Sequence, residues 1–301
     1  MSKKKLIIIA GPTAIGKTSL SIHIAKILGA EIISADSRQI YKELEIGTAK
    51  PNQKERDQII HHFIDIVSIH DKYNVAKYEE EVISFLDQYF LHQDTAILTG
   101  GTGLYIKAIM NGLDELPTIP ESVTQEITKL YELHGIAFLQ NIVAEKDPVY
   151  FAKMDKDNAH RLMRAAAVIK HTGIPFTEFR KGIAKKRDFD IIPILLTIDR
   201  TKLYNRINQR VDLMIESGLE QEVKNLVENK ELQALQTVGY KEFFQYFDGI
   251  LSRIEAINKI KQHTRNYAKR QITWFNNQYK GETFLYTSKD KILEHIEHNM
   301  Y

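Results

Sequence analysis

The sequence predicts an α/β protein: a parallel sheet with helices on both faces, interrupted by a helical insertion. Three observations predict it. The apolar run Leu6 to Ala10 leads directly into a glycine-bounded loop and then a helix-periodic stretch. Further short apolar runs alternate with helical patterns, as parallel strands and their crossover helices do. Between about residues 115 and 187 the strand-like runs disappear, and they return only afterwards.

Taken in order, Leu6 to Ala10 reads as a buried parallel strand, because it is β-branched and lacks polar alternation. Residues 18 to 28 place Leu20, Ile24, Ile27 and Leu28 at helical spacing, with Gly29 as a C-cap. Glu31 to Asp36 is a second strand, Phe63 to Val67 a weaker third and Thr95 to Thr99 a fourth. The two prolines of Asp114 to Pro120 mark a linker. Glu121 to His134, Ala137 to Glu145 and Ala159 to His171 read as helices, punctuated by Pro148 and by Gly173-Ile174-Pro175. Ile191 to Ile198 is strand-like again, and Pro193 assigns it to an edge or to a strand end. Leu203 to Leu226 is a helix or helix pair, Ile254 to Tyr279 another helix, and Phe284 to Tyr286 a last short strand. The expected domains are a discontinuous core, 1–114 with 188–301, and an insertion, 115–187.

Bulk properties narrow the class. The 301 residues are 43% hydrophobic, enough to bury a core. There is no cysteine, which excludes disulfides and Cys-based zinc sites and favours a cytoplasmic protein. The basic start Met1 to Lys5 imitates a signal peptide, but the apolar run after it is too short and stops at Gly11. No stretch is long enough to span a bilayer. A formal charge of +2 means that any nucleic-acid contact must come from local patches.

The loop Gly11-Pro12-Thr13-Ala14-Ile15-Gly16-Lys17-Thr18 fits G-x-x-x-x-G-K-[ST] in full and makes the expected sheet P-loop NTPase-like. Its glycines let backbone N–H groups converge on an anion, and the following helix adds its dipole. Lys17 supplies a charge for the terminal phosphate, and the Thr18 hydroxyl is a ligand for Mg²⁺. An acid at a strand end should face the same crevice, and both Asp36 and Asp199 qualify. Asp36 could ligate the metal, accept a proton or simply cap a helix. Thr99 to Gly103 adds a second glycine turn at that edge, or only a tight strand-to-helix connection.

Together, GPTAIGKT (11–18), ISADSRQIYKELEIGTAKP (33–51), GGTGLYIKA (100–108), DRTKLYNRINQRVDLM (199–214), TVGYKE (237–242) and TRNYAKRQITWF (264–275) resemble the tRNA dimethylallyltransferases. The resemblance implies transfer of a dimethylallyl group from dimethylallyl diphosphate to the exocyclic amine of the adenine 3′ of the anticodon. The loop would then hold the leaving diphosphate, with Mg²⁺ and Lys17 neutralising it. By motif position Asp36 resembles the family's base, Arg206 its diphosphate-contacting arginine, and Thr13 and Thr102 residues lining the transfer site. Ser37, Arg38 and Gln39 match a tRNA-contacting stretch after Asp36. His160-Arg161-Leu162-Met163-Arg164 matches another in the insertion, which resembles a domain that closes over the anticodon stem-loop. Gln236-Thr237-Val238-Gly239-Tyr240-Lys241 matches a third. The target base would have to be flipped out of its stack. With no long C-terminal extension and no C2H2 zinc finger, the resemblance is to the short bacterial form, and a monomer is expected.

By themselves several of these residues have plainer readings. Arg206 and the trio His160, Arg161 and Arg164 would otherwise be solvated helix residues. Lys261, Arg265 and Lys269, with Arg270, form a basic stripe that either tracks phosphates or is an exposed face; Tyr267 shares that helix, and Trp274 and Phe275 suit a core. Three alternatives stay open: a P-loop kinase of a small metabolite, an adenylate isopentenyltransferase and a non-catalytic RNA-binding module.

Overall fold

The structure is a computed structural model and describes residues 4–300, so Met1 to Lys3 of the basic start lie outside the described residues. The first half runs β1 (Lys5–Ala10), α1 (Lys17–Leu28), β2 (Glu31–Ser34), α2 (Gln53–Arg56), β3 (His61–His62), α3 (Val75–Tyr89), β4 (Thr95–Gly100) and α4 (Gly103–Asn111). Four helices follow: α5 (Glu121–Lys146), α6 (Pro148–Lys153), α7 (Ala159–Thr172) and α8 (Phe176–Phe179). The chain returns through β5 (Asp190–Thr197), α9 (Arg200–Glu216), α10 (Leu219–Lys224), α11 (Tyr240–Phe247), α12 (Arg253–Gln278), β6 (Glu282–Leu285) and α13 (Lys289–Met300).

The six strands form one sheet in the order β3-β2-β4-β1-β5-β6, with every pairing parallel. β1 lies at its centre, and Leu6 to Ile9 are fully buried. Leu6 and Ile8 pack with Tyr78, Val82, Ile106 and Ile109, whereas Ile7 and Ile9 pack with Leu20, Ile24, Leu203 and Ile292. Burial on both faces is why the strand carries no polar alternation, and each such side chain contributes roughly 1.5–3 kcal/mol.

The chain divides into two compact units, one of residues 1–110 and 186–301 and one of residues 111–185. In the smaller unit, α7 packs on α5 through Leu162, Ala165, Ala166 and Val168 against Ile127, Leu139 and Val143. α5 is broken at Gly135, whose φ of 72° and ψ of −173° divide it near where the periodicity lapses.

Three strand expectations need correction. Residues 63–67 are not a strand. Phe63 and Asp65 take left-handed φ of 62° and 58°, which no ladder accepts, and the strand here is the two-residue β3. β2 stops at Ser34, so Asp36 lies beyond it. Pro193 is not at a strand end: it sits inside β5, opposite Ile8 of β1, at a point where the other side of β5 is still an open edge. Asp190 N–H donates to Lys4 on the β1 side, and the Thr197 carbonyl accepts from Tyr286 on the β6 side. Counting by two from Thr197, the missing Pro193 N–H faces the β6 side. Pairing with β6 begins only at Ile194, so no ladder bond is lost.

Candidate functional site

The loop from Gly11 to Thr18 leaves β1 and curls through positive φ at Gly11, Ala14 and Gly16. Gly16, at φ 104°, is the N-cap of α1, with no side chain capping the helix. Lys17 Nζ donates to the Gly11 and Pro12 carbonyls, each at 2.9 Å. Desolvation, and secondarily the Arg210 charge, bring the Lys17 ammonium down to about 7, against the opposing pull of Asp36.

Two helices brace this loop from outside. From α9, Arg206 Nε donates to the Ala14 carbonyl at 2.7 Å and Arg210 Nη1 to Thr13 Oγ1 at 3.1 Å. Burial lowers the Arg210 pKa, with Asp36 acting in the opposite direction. From α12 comes Gln271, only 6% exposed. Its Oε1 accepts the Thr13 N–H at 2.9 Å while its Nε2 donates to the Gly101 carbonyl at 2.8 Å, tying the two glycine turns together. Gly103 packs directly on the Trp274 ring, so that a Cβ there would lie 2.3 Å from it.

Two cavities open at the carboxyl edge of the sheet. One, of about 510 Å³, is lined by Lys17, Thr18, Ser34, Asp36, Arg206 and Arg210 among others. A second, of about 520 Å³, is lined by Ser37, Arg38, Thr237, Gly239, Lys241 and Arg270 among others. They share Thr13, Asp36, Thr48, Ala49, Arg210 and Tyr267 as walls. Asp36 Oδ1 accepts the Arg38 N–H at 2.9 Å. No helix starts there, so Asp36 is not a helix cap. Asp199, the other acid at a strand end, does cap a helix, accepting from Lys202 N–H at the start of α9.

The remaining expected residues divide. Gln236 and Val238 also line the second cavity. Thr102 lines neither: its hydroxyl accepts the Ser37 N–H at 3.0 Å and so fixes the turn after Asp36. Ile15 is fully buried in the core. Arg38 Nη1 donates to the carbonyls of Gln233 and Ala234, and Gln39 Nε2 to those of Thr48 and Ala49. Tyr240 is fully buried, with its hydroxyl on Glu222 at 2.6 Å, and so belongs to the core rather than to a contact surface. In the smaller unit, Leu162 is likewise core and Met163 is partly buried, while His160, Arg161 and Arg164 are exposed. Arg161 and Arg164 line a cavity of about 590 Å³ together with Lys153 and Arg180.

The basic stripe on α12 does not act as one face. Lys261 pairs with Asp212 at 2.5 Å and Arg265 bonds Asn208 at 2.7 Å, both on α9. Arg270 lines the second cavity and Phe275 is core. Sequence reasoning missed Arg210, Gln271, Lys153, Arg180 and His61. His61 lines the first cavity, and its buried Nε2 has no partner among the described residues. Arg210 had a signal, since it lies one helical turn beyond Arg206. A lone glutamine or histidine offers none.

A parallel α/β protein whose two cavities share one carboxylate, one of them lined by lysine, arginine and hydroxyls, has the layout that group transfer needs. The IPP transferase family model matches residues 39–278, and the chain belongs to that family. It is 46% identical over 293 residues to a tRNA dimethylallyltransferase of Christiangramia forsetii, covering 97% of each chain. It is also similar to the solved full-length tRNA isopentenylpyrophosphate transferase of Bacillus halodurans, at 35% identity and a TM-score of 0.73, covering 99% of this chain and 97% of that one. A solved eukaryotic dimethylallyltransferase acting on tRNA superposes with a TM-score of 0.81 at 27% identity, covering 98% of this chain and 77% of that one.

Proposed function

We propose that this chain is a tRNA dimethylallyltransferase. It moves the dimethylallyl group of dimethylallyl diphosphate onto the exocyclic amine of the adenosine immediately 3′ of the anticodon. The observation that carries this reading is the pair of cavities sharing Asp36. A donor in the first and a nucleobase in the second would meet at that carboxylate.

Residues 11–18 then act as a P-loop for the diphosphate. Lys17, released from the Gly11 and Pro12 carbonyls, and Arg206 and Arg210 balance the charge that grows on the leaving group. The hard oxygens of Thr18 and Ser34 on this cavity suit Mg²⁺. Among the described residues no group of three His, Cys, Asp or Glu is placed to hold a metal, so Thr18 would share the ion with the diphosphate itself. When bound, the ion supplies charge neutralisation to the departing diphosphate. In the transfer a nitrogen–carbon bond forms, the allylic carbon–oxygen bond breaks, diphosphate leaves and Asp36 takes the amine proton.

The second cavity, walled by Ser37, Arg38 and residues of 236–241, receives the extruded base. In the smaller unit the cations of Lys153, Arg161, Arg164 and Arg180 form a phosphate-binding surface for the anticodon stem-loop. An enzyme acting on a free adenine nucleotide has no use for that surface.

The test is incubation with labelled dimethylallyl diphosphate, Mg²⁺ and an unmodified anticodon stem-loop carrying adenosine at the target position. Label is expected in the RNA. Transfer to free AMP in preference to the stem-loop, or phosphate transfer from ATP, would overturn the reading.

A further inference from the structure

The acceptor cavity contains a histidine that the chemistry above leaves without a role. His263, on α12, lines it beside Thr237, Gly239 and Lys241. Its Nδ1 lies 2.5 Å from Glu242 Oε1. Glu242 is 3% exposed, and its other oxygen accepts the Gly239 N–H at 2.8 Å. A carboxylate only accepts, so the hydrogen of this pair sits on Nδ1. That leaves Nε2, which has no partner among the described residues, for an outside ligand. A buried carboxylate thus holds the imidazole in one orientation and one tautomer, an arrangement found where the opposite ring nitrogen has a task.

We propose that His263 is a positioning residue for the acceptor strand, its Nε2 sharing a hydrogen bond with a ribose 2′-hydroxyl of RNA in this cavity. The proposal rests on the transfer reading above and extends it. A 2′-hydroxyl both donates and accepts, so it can partner Nε2 in either role of the ring nitrogen. The 2′-hydroxyl is also the group by which RNA differs from DNA. The neighbouring Lys241 and Arg270 supply charge for the same strand's backbone.

The experiment couples protein and RNA substitutions. Stem-loops with single 2′-deoxy replacements through the anticodon loop are assayed with the wild-type enzyme and with His263→Ala. One deoxy position should raise the wild-type KM for RNA about three- to tenfold. His263→Ala should show that rise already with unmodified RNA, and no further rise at that position. Its KM for dimethylallyl diphosphate should stay unchanged, which also reports an intact fold. His263→Gln, which reaches the place of Nε2, should recover most of the affinity, and His263→Asn, which replaces only Nδ1, should not.

Equal deoxy penalties in wild type and His263→Ala at every position would overturn the proposal. So would recovery by His263→Asn alone, since the ring would then serve only to pair Glu242. The wild-type rate on unmodified RNA tests the transfer reading separately.

Discussion

At the scale of single residues, Asp36 and Lys17 carry the sharpest expectations. Asp36→Asn preserves size but removes the proton acceptor. Binding of dimethylallyl diphosphate should stay within a few-fold, while single-turnover transfer falls by about two or more orders of magnitude. Lys17 gives a proton signature. With its pKa at about 7 in the free protein, most of it is neutral at pH 8. A bound diphosphate favours the charged form and raises that pKa, so binding at pH 8 should take up a proton, up to about one per site. Uptake should fade below pH 7, where the free lysine is already charged. Calorimetry in buffers of different ionisation enthalpy measures it, and Lys17→Met should abolish it. How these residues came to be legible differs. Asp36 and the loop announce themselves because phosphate chemistry demands particular residue types at fixed spacing. Gln271 carries no such mark, since its importance comes from reaching Thr13 and Gly101 at once, a contact made by tertiary packing. Thr102 shows the converse. Its motif is readable, but its hydroxyl is spent on the Ser37 backbone.

At the scale of elements, close packing sets the tolerances. Gly103 begins α4 against the face of Trp274 on α12, and Gly103→Ala should cost about 1–3 kcal/mol by overpacking. A lowered urea midpoint with an unchanged slope is the expected readout. The central strands and long helices were readable because burial on two faces, or on one stripe, imposes a pattern on many consecutive residues. The stretch 63–67 misled because its apolar content is right, whereas its left-handed backbone at Phe63 and Asp65 is a property of the folded loop. Pro193 misled for a different reason. Its tolerance depends on where β6 starts pairing, at Glu282, far along the chain.

At the scale of the whole molecule, the proposed function divides the labour between the two units. Lys185 N–H donates to the Asn111 carbonyl at 2.8 Å, so the smaller unit begins and ends at neighbouring points and can be excised with a short linker. Dimethylallyl diphosphate should still bind to what remains, with RNA affinity lost. In the intact chain, Arg164→Ala should reduce the slope of log affinity for the stem-loop against log salt by about one phosphate contact, without altering the diphosphate KM. Within the larger unit, α12 spans 26 residues as one rod. Gln271 bonds the Gly11–Thr18 loop at Thr13, and His263, eight residues earlier, lines the second cavity. Eight residues are about 12 Å of rise. On the proposed function the helix acts as a ruler, setting the gap between leaving group and nucleophile by counting residues. Adding or removing one residue between those marks would throw them out of phase by about 100°, so this stretch should evolve by substitution and never by change of length.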